Sequence, residues 1–197
     1  IVMNNPLDMR NLKNLDIYTY KKKYNVENKT VFSIIGNVIP SKGIDYVIKE
    51  FIESKNQNSV LLVVGTGDKV YESFCISLAK NDVRVRFLGQ KNNIDEIYLI
   101  SDYIVRGEPL FAIGRTVYEA LYSDAGVIIP GHETDINKMF ELEKYRKKIN
   151  LYSPRSKELR ICFQNLAEVK IQKEQFSSNI KEYIEDFRKV LMKIESE

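Results

Sequence analysis

The sequence predicts an α/β fold in which a doubly wound parallel sheet is covered by helices on both faces. Two observations support this prediction. Short runs rich in β-branched residues alternate with longer segments whose apolar residues recur at helical spacing. Most of the short runs are apolar throughout, which is typical of strands buried on both faces of a parallel sheet. With 197 residues, the chain is long enough to form a substantial hydrophobic core.

The individual elements follow from these patterns. Five strands are predicted at residues 30–36, 59–65, 83–88, 102–105 and 126–129. Amphipathic helices are predicted between them, at residues 43–54, 68–81, 93–101 and 115–123. In the first helix, Ile44, Val47, Ile48 and Phe51 fall on one face. Asp68 opens the second helix and is a suitable N-cap residue.

The pattern divides the chain into three regions. Residues 1–10 are predicted to be an interdomain linker, residues 11–132 the α/β core, and residues 133–197 a mostly helical C-terminal part. Within the last region, helix is predicted at 134–148 and from Lys157 to the end, with a brief strand-like or extended piece between. The last helix carries an apolar stripe, which predicts packing against the sheet or against a neighbouring domain. Because the chain starts without methionine, we interpret it as a fragment that lacks an N-terminal domain.

Composition excludes several classes of function. The chain has 30 basic and 27 acidic residues and a net charge of +3, which is too balanced to predict nucleic-acid binding. Neither a signal peptide nor an apolar run long enough to cross a bilayer is predicted from the sequence, and a cytoplasmic location is expected. Cys75 and Cys162 are predicted to be reduced thiols. With His132 as its single histidine, the chain is predicted to hold no metal.

The segment VFSIIGNVIPSKG, residues 31–43, is the first candidate for ligand binding. A buried strand is followed by Gly36 and Asn37, and Lys42 stands directly before a predicted helix. The N–H groups of a helix start and a lysine charge both favour an anion at the carboxyl edge of a parallel sheet. The alternative, a solvated surface lysine, stays open at this point.

The segment GEPLFAIGRTVYEAL, residues 107–121, is the second candidate. Gly114, Arg115 and Thr116 begin another helix, so two helix N-termini are expected at one edge, which favours a diphosphate over a single phosphate. Glu108 lies in a strand-exit loop and Glu119 lies on the helix. Carboxylates at these places suit the hydroxyls of a sugar or ribose, although Glu119 has the alternative of simply facing solvent.

Several short motifs occur in a recognisable order along the chain. They are NPLD at 5–8, GNVIPSKG at 36–43, VVGTGD at 63–68, RFLGQ at 86–90, SDYIV at 101–105, GRTVYEAL at 114–121 and VII at 127–129. In this order they resemble the C-terminal, donor-binding domain of GT-B glycosyltransferases of retaining family four, the glycosyl transferases group 1. The resemblance covers residues 4–131 and implies that the chain is the Rossmann-like donor half of a GT-B enzyme.

The resemblance also implies roles for the candidate residues. It assigns Lys42 to the diphosphate of a UDP-sugar or GDP-sugar, Glu119 to the ribose hydroxyls and Glu108 to the transferred sugar. The other donor contacts that it implies are Gly36, Asn37, Gly114, Arg115 and Thr116. It further implies retention at the anomeric carbon, no metal and no cofactor besides the donor substrate.

The same resemblance implies a setting for the reaction. The acceptor, a glycan or a lipid-linked molecule, would be held mainly by an N-terminal domain, in the synthesis of cell-surface polysaccharide or another glycan. The basic run KYRKK at 144–148 suggests peripheral contact with the inner face of the plasma membrane, and a solvated helix face is its alternative.

Two departures from the family pattern favour alternative functions. Asn37 stands where the family has an arginine, and Phe111 stands where it has the first glutamate of its pair. Arg115 is the candidate for replacing the missing charge. The alternative is therefore a catalytically degenerate nucleotide-binding or regulatory module. A generic dinucleotide- or flavin-binding domain is a third possibility, but the run GTGDKV at 65–70 has only two of the three fingerprint glycines.

Overall fold

Six parallel strands form a single sheet at the centre of the molecule. The structure, a computed structural model, describes residues 7–167, 171 and 173–195, with the side chains of 140, 141, 190, 191 and 193–195 outside the description. The strands are β1 (Thr30–Ile35), β2 (Ser59–Val64), β3 (Val85–Gly89), β4 (Tyr103–Val105), β5 (Gly126–Pro130) and β6 (Ile149–Tyr152). Their order across the sheet is β3-β2-β1-β4-β5-β6.

Helices connect the strands and continue beyond the sheet. They are α1 (Ile17–Lys23), α2 (Ile44–Glu53), α3 (Lys69–Ala79), α4 (Asp95–Ile100), α5 (Arg115–Tyr122), α6 (Glu133–Ile136), α7 (Glu158–Leu166) and α8 (Ile180–Glu195). Short 3₁₀ helices cover Arg10–Asn14, Pro40–Lys42 and Phe140–Lys148. As predicted, Asp68 caps α3, because its Oδ1 accepts a hydrogen bond from the N–H of Tyr71 at 2.7 Å.

Both faces of the sheet are buried, which confirms the predicted fold class. On one face Phe32 and Ile34 of β1 pack with α2, α3 and α7 in one apolar cluster. Val31 points to the opposite face, where a second cluster includes residues of α4. Residues of β4 and β5 pack with α5 on that same side in a third cluster. Alternate residues of a strand therefore serve different helix layers, which explains why the strands are apolar throughout.

The five predicted strands are confirmed, with ends that differ by one or two residues. A sixth strand, β6, forms from the piece predicted to be strand-like or extended, and it pairs with β5 in parallel. Its Tyr152 is fully buried, as are Leu159 and Phe163 of the following helix α7. The parallel sheet therefore extends beyond residue 132, the predicted end of the α/β core.

The strand order reverses between β1 and β4, which are neighbours in the sheet although three helices and two strands separate them in sequence. Chains that leave β1 and β4 at their carboxyl ends turn away to opposite sides and leave a crevice between them. In open α/β sheets this topological switch point is where ligands bind. The loops 36–43 and 106–114, which contain most of the candidate residues, lie at this place.

Two glycines bring the loops after β1 and β4 into backbone contact. Gly43 has a left-handed φ of 59°, and a Cβ atom there would lie 2.0 Å from the carbonyl oxygen of Gly107. A Cβ on Gly107 would in turn lie 2.6 Å from the carbonyl oxygen of Gly43. Because neither residue can carry a side chain without displacing the other, this contact sets the distance between Lys42 and Glu108.

The C-terminal part differs from the prediction of one long helical region. Helix from Lys157 onwards is confirmed for α7 and α8, but it is wrong for residues 173–179, which belong to no helix and include an isolated β-bridge from Ser178 to Asp8. The backbone N–H groups of Glu174 and Gln175 donate to Oδ2 of Asp124 at 2.7 and 2.9 Å, so a side chain takes up hydrogen bonds that a helix would make internally. Residues 168–170, 172, 196 and 197 lie outside the described residues.

Two further helical predictions are corrected in the same region. The segment predicted as one helix at 134–148 is the four-residue α6 followed by a 3₁₀ helix. On α8, Ile184 is 43% and Phe187 46% exposed, so the predicted packing of the stripe against the sheet is wrong for these two residues. The alternative prediction, that the apolar stripe of α8 packs against a neighbouring domain, stays a prediction. Val190, Leu191 and Ile194 of the stripe lie outside the described side chains.

The start of the described chain packs onto the domain. Leu7 and Met9 are buried, and the N–H of Met9 donates to the carbonyl of Ser177 at 3.0 Å. The N–H of Leu7 donates to the side chain of Asn179 at 2.7 Å. The end of the predicted linker at residues 7–10 is therefore anchored to the segment that leads into α8. Residues 1–6 of that linker lie outside the described residues.

The glycine contact predicts a large loss of stability in Gly43→Ala. The left-handed backbone alone costs an alanine about 1–2 kcal/mol, and the clash with Gly107 adds to this, so we expect about 3 kcal/mol or more. Gly89→Ala is a matched control, because Gly89 has a φ of 64° with no atom within 4 Å of its Cβ position. Urea denaturation of both variants gives the difference, and equal losses would contradict the proposed contact.

Candidate functional site

A cavity of about 320 Å³ lies at the switch point, at the carboxyl ends of β1 and β4. The ends of these strands form its floor, and the loops that follow them, with the first residues of α5, form its walls. Its lining residues are Ile34, Ile35, Gly36, Asn37, Lys42, Val105, Arg106, Gly107, Glu108, Gly114, Arg115 and Thr116. The structure therefore brings together every candidate residue of the sequence analysis except Glu119, which does not line this cavity.

Lys42, Arg106 and Glu108 form an ion network in the wall of the cavity. The ammonium Nζ of Lys42 donates to Oε1 of Glu108 at 3.0 Å. The guanidinium of Arg106 donates to both oxygens of the same carboxylate, from Nε to Oε2 at 3.0 Å and from Nη2 to Oε1 at 2.5 Å. Lys42 is therefore not a freely solvated lysine, and the one carboxylate of Glu108 pairs with two cations.

The charge state of Glu108 follows from two opposing effects. Desolvation raises the pKa of the carboxyl group, because burial disfavours its charged form. The hydrogen bonds from Arg106 and Lys42 and the charge of Arg106 act in the opposite direction and outweigh it, so the pKa lies below the ordinary value of glutamate. Glu108 is thus an anion at neutral pH, and its side chain is only 13% exposed.

Arg106 is the site residue that the sequence analysis missed. It is the first residue after β4, its side chain is 11% exposed, and its Nη1 also donates to Oγ1 of Thr116 at 3.2 Å. The predicted strand ended at Val105, and an arginine directly after a buried strand is a signal that could have indicated this position. A lone arginine after a strand is nevertheless common, and the ion network with Glu108 depends on the fold.

Helix α5 presents its N-terminus to the cavity. Gly114 is the N-cap residue and provides no side chain to satisfy the N–H groups of the first turn. The guanidinium of Arg106 lies directly beside this glycine, because a Cβ on Gly114 would be 2.8 Å from Nη1. The positive end of the helix dipole and a fixed cation thus meet at one point of the cavity wall.

Glu119 lies one helical turn below the cavity. Its Oε1 accepts a hydrogen bond from Nε of Arg115 at 2.7 Å, and its Oε2 accepts one from the buried Tyr98 hydroxyl at 2.5 Å. Burial, together with the charge of Glu119, raises the pKa of Tyr98, so the phenol stays a proton donor. The alternative that Glu119 only faces solvent is therefore wrong. Arg115, by contrast, is 64% exposed.

A second cavity of about 250 Å³ adjoins the first on the side of β2 and β3. Both cavities share Ile35, Gly36 and Asn37, so the loop after β1 separates them. The second cavity continues along Gly65 and Thr66 and is lined further by Val64, Gln90, Lys91 and Ile94. Together the two cavities form an elongated crevice across the carboxyl edge of the sheet.

The fold is thus a doubly wound α/β domain with a cationic cavity at its switch point. The sequence model for glycosyl transferases group 1 matches residues 16–130, and the chain therefore belongs to this family of glycosyltransferases. The resemblance seen in the sequence is thus confirmed. A search of curated proteins found no match to the chain.

Solved structures share the fold. Alr3699/HepE from Anabaena, in complex with UDP and glucose, is 19% identical with a TM-score of 0.71 over 86% of this chain and 47% of its own. A glycosyltransferase from Rickettsia africae is 18% identical, with a TM-score of 0.67 over 84% and 45%. The C-terminal domain of LpcC from Francisella tularensis is 17% identical, with a TM-score of 0.61 over 77% and 82%.

The chain spans about half the length of the first two of these proteins but most of the LpcC domain. Among the described residues, no helix is long and apolar enough to cross a membrane. Within the same part of the chain, no group of three or more histidine, cysteine or carboxylate residues has the arrangement of a metal site. Cys75 and Cys162 are both free thiols, as predicted.

The ion network predicts a pH-dependent loss of stability in Glu108→Gln. Two partly buried cations would lose their shared anion, which we expect to cost about 1–3 kcal/mol at pH 7. Because the folded-state pKa of Glu108 lies below its unfolded value of 4.5, this stabilisation is complete above pH 4.5 and is lost as pH falls through the folded pKa.

Denaturation of the wild type and Glu108→Gln at several pH values measures this difference. The free energies of unfolding of the wild type and of Glu108→Gln should become equal at the acidic end of the pH range. Glu133→Gln is a suitable control, because Glu133 pairs with Arg146 at the surface and such pairs contribute little. A Glu108→Gln variant as stable as the wild type at pH 7 would contradict the network.

Proposed function

We propose that this chain is the donor-binding half of a glycosyltransferase, which holds a nucleoside diphosphate sugar such as a UDP-sugar or a GDP-sugar. The observation that carries the proposal is the cavity at the switch point, where Lys42 and the N-terminus of α5 converge. Family membership supports it, and the related Anabaena protein has been solved with UDP and with UDP-glucose.

Lys42 and the N-terminus of α5 would stabilise the leaving group. When the glycosidic bond breaks, its electron pair stays on the diphosphate oxygen, so negative charge grows there in the transition state. A fixed ammonium and the N–H groups of a helix start stabilise this charge more strongly than that of the ground state. Such groups supply the electrostatic part of catalysis, and we propose transfer without a metal or another cofactor.

Glu119 and Glu108 would position the donor. Glu119, held from two sides by Arg115 and Tyr98, is proposed to accept hydrogen bonds from the ribose hydroxyls. Glu108 is proposed to contact the transferred sugar. The carboxylate of Glu108 accepts three hydrogen bonds from the two cations and has capacity for one more, so it can serve the network and a sugar hydroxyl together.

The acceptor and the setting are also proposals. We propose that a glycan or lipid-linked acceptor binds mainly to an N-terminal domain and that the product retains the anomeric configuration. A role in cell-surface polysaccharide or another glycan is proposed, with a cytoplasmic location and at most peripheral membrane contact. The run 144–148 offers such contact, although Arg146 and Lys148 already pair with Glu133 and Asp124.

A second candidate function is a nucleotide-binding module that has lost catalysis. Two observations favour it. Asn37 provides no charge at the loop after β1, and Glu108 binds the cations that a diphosphate would need. Both candidates predict nucleotide binding, so sugar transfer by the complete protein separates them. If Lys42→Ala leaves turnover unchanged there, the enzyme proposal is wrong.

Titration calorimetry of this chain with UDP, GDP and ADP in metal-free buffer tests the donor site. We expect saturable binding of one of the three and a roughly tenfold or greater loss in Lys42→Ala, because a charged hydrogen bond to phosphate disappears. Glu119→Ala should weaken the same nucleotide by a similar factor. NAD serves as the control ligand for the dinucleotide alternative.

Lys69→Ala is the matched control variant. Lys69 lies at the start of α3, is solvent-exposed and pairs with a glutamate as Lys42 does. Its replacement should leave affinity unchanged. Equal affinity of the wild type and Lys42→Ala for every nucleotide would contradict the proposed site.

A further inference from the structure

We propose that Arg106 is the second cation that binds the diphosphate of the donor, in place of the arginine that Asn37 does not provide. Glu108 is then its positioning residue. This inference rests on the proposed donor function and extends it to a residue outside the motifs by which the chain resembles its family. The geometry around the guanidinium carries the argument.

The backbone of Arg106 is fixed from both sides. Its N–H donates to the carbonyl of Ile128 in the neighbouring strand at 2.9 Å, and its carbonyl accepts a hydrogen bond from the buried Tyr152 hydroxyl at 2.6 Å. The side chain therefore starts from a rigid position at the end of β4. Glu108 then fixes its direction through two parallel hydrogen bonds, the bidentate geometry that orients a guanidinium most firmly.

The guanidinium has donors left for a ligand. Of its five N–H groups, three serve Glu108 and Thr116. The other two, one on Nη1 and one on Nη2, have no hydrogen-bond partner among the described residues. Both nitrogens belong to the end of a side chain that lines the cavity. An anion in the cavity can therefore accept them without breaking the pair with Glu108.

The electrostatics of this position favour an anion. Arg106 lies against Gly114, at the positive end of α5, where a cation is unfavourable unless negative charge is near. Lys42 adds a second positive charge, and the one carboxylate of Glu108 balances only one of the two. The cavity wall thus keeps an uncompensated positive charge beside uncapped helix N–H groups, which suits a diphosphate.

The positive charge that the family has after β1 is found in this chain after the neighbouring strand, β4. Asn37 follows β1 and Arg106 follows β4, and these two strands pair directly at the switch point. An arginine after either strand can reach the same crevice. Arg115, the replacement suggested by the sequence, is mostly exposed and pairs with Glu119, so it is less suited to this role than Arg106.

The test compares ligands of increasing charge. The wild type, Arg106→Gln and Arg106→Lys are each titrated with two sets of ligands. The first set is uridine, UMP, UDP and inorganic pyrophosphate, and the second is guanosine and GDP. We expect Arg106→Gln to lose about 10- to 100-fold in affinity for the nucleoside diphosphate and for pyrophosphate, with little change for the nucleoside. Arg106→Lys should lose less, because it keeps the charge but not the planar fork.

Arg160→Gln is the matched control, since Arg160 also pairs with a glutamate, Glu50, but between α2 and α7 away from the cavity. Thermal melts followed by circular dichroism check that each variant folds. If Arg106→Gln does not fold, Arg106→Lys carries the test, with a several-fold loss expected for the diphosphate relative to the nucleoside.

The outcomes are distinguishable. A loss that grows with the number of phosphates supports the proposal. Unchanged affinity for UDP, GDP and pyrophosphate in both Arg106 variants overturns it, as does an equal loss for nucleoside and diphosphate, which indicates a purely structural role. If the wild type itself binds no diphosphate, the donor site proposed above fails, and this inference fails with it.

Discussion

The site depends on the backbone contact between Gly43 and Gly107. Each loop leaves a different strand at the switch point, and only two residues without side chains can bring the loops so close. Lys42 immediately precedes one glycine, whereas Arg106 and Glu108 flank the other. β1 and β4 are neighbours in the sheet, and the chain leaves them in different directions. The glycine contact holds the two loops together and thereby fixes the charged residues beside it in one cluster. Residues 66 positions apart in sequence share a hydrogen bond for this reason.

The second organising feature is the shared carboxylate of Glu108. Two cations placed side by side repel each other, and a buried arginine without a partner is costly. Glu108 removes both problems, and each of the two cations keeps unused N–H donors on a side chain that lines the cavity. Preorganised charges of this kind need little rearrangement when negative charge develops on a leaving group, which is the condition for effective electrostatic stabilisation. The pairing of Glu119 with Tyr98 and Arg115 fixes the other carboxylate in the same way.

The sequence predicts the fold class, five of six strands and most cavity residues, because burial patterns and strand-exit glycines are local signals. It does not predict Arg106, since its role arises from Glu108, Thr116 and Gly114, which meet only in the folded chain. It also misplaces residues 173–179, because Asp124, some 50 residues away, takes their backbone hydrogen bonds. Ile184 and Phe187 show the same limit, as helical spacing identifies an apolar face but not what covers it.

A titration of the ¹⁵N-labelled chain with UDP and GDP, followed by amide chemical shifts, tests directly whether the switch point binds a nucleotide. Binding at the switch point predicts that the amides of Gly36, Gly107, Arg115 and Thr116 shift and saturate together. A third cavity, of about 420 Å³ beside Gly131 and His132 after β5, provides the internal comparison. Shifts concentrated around Gly131 and His132, with the switch-point amides unchanged, would contradict nucleotide binding at the switch point.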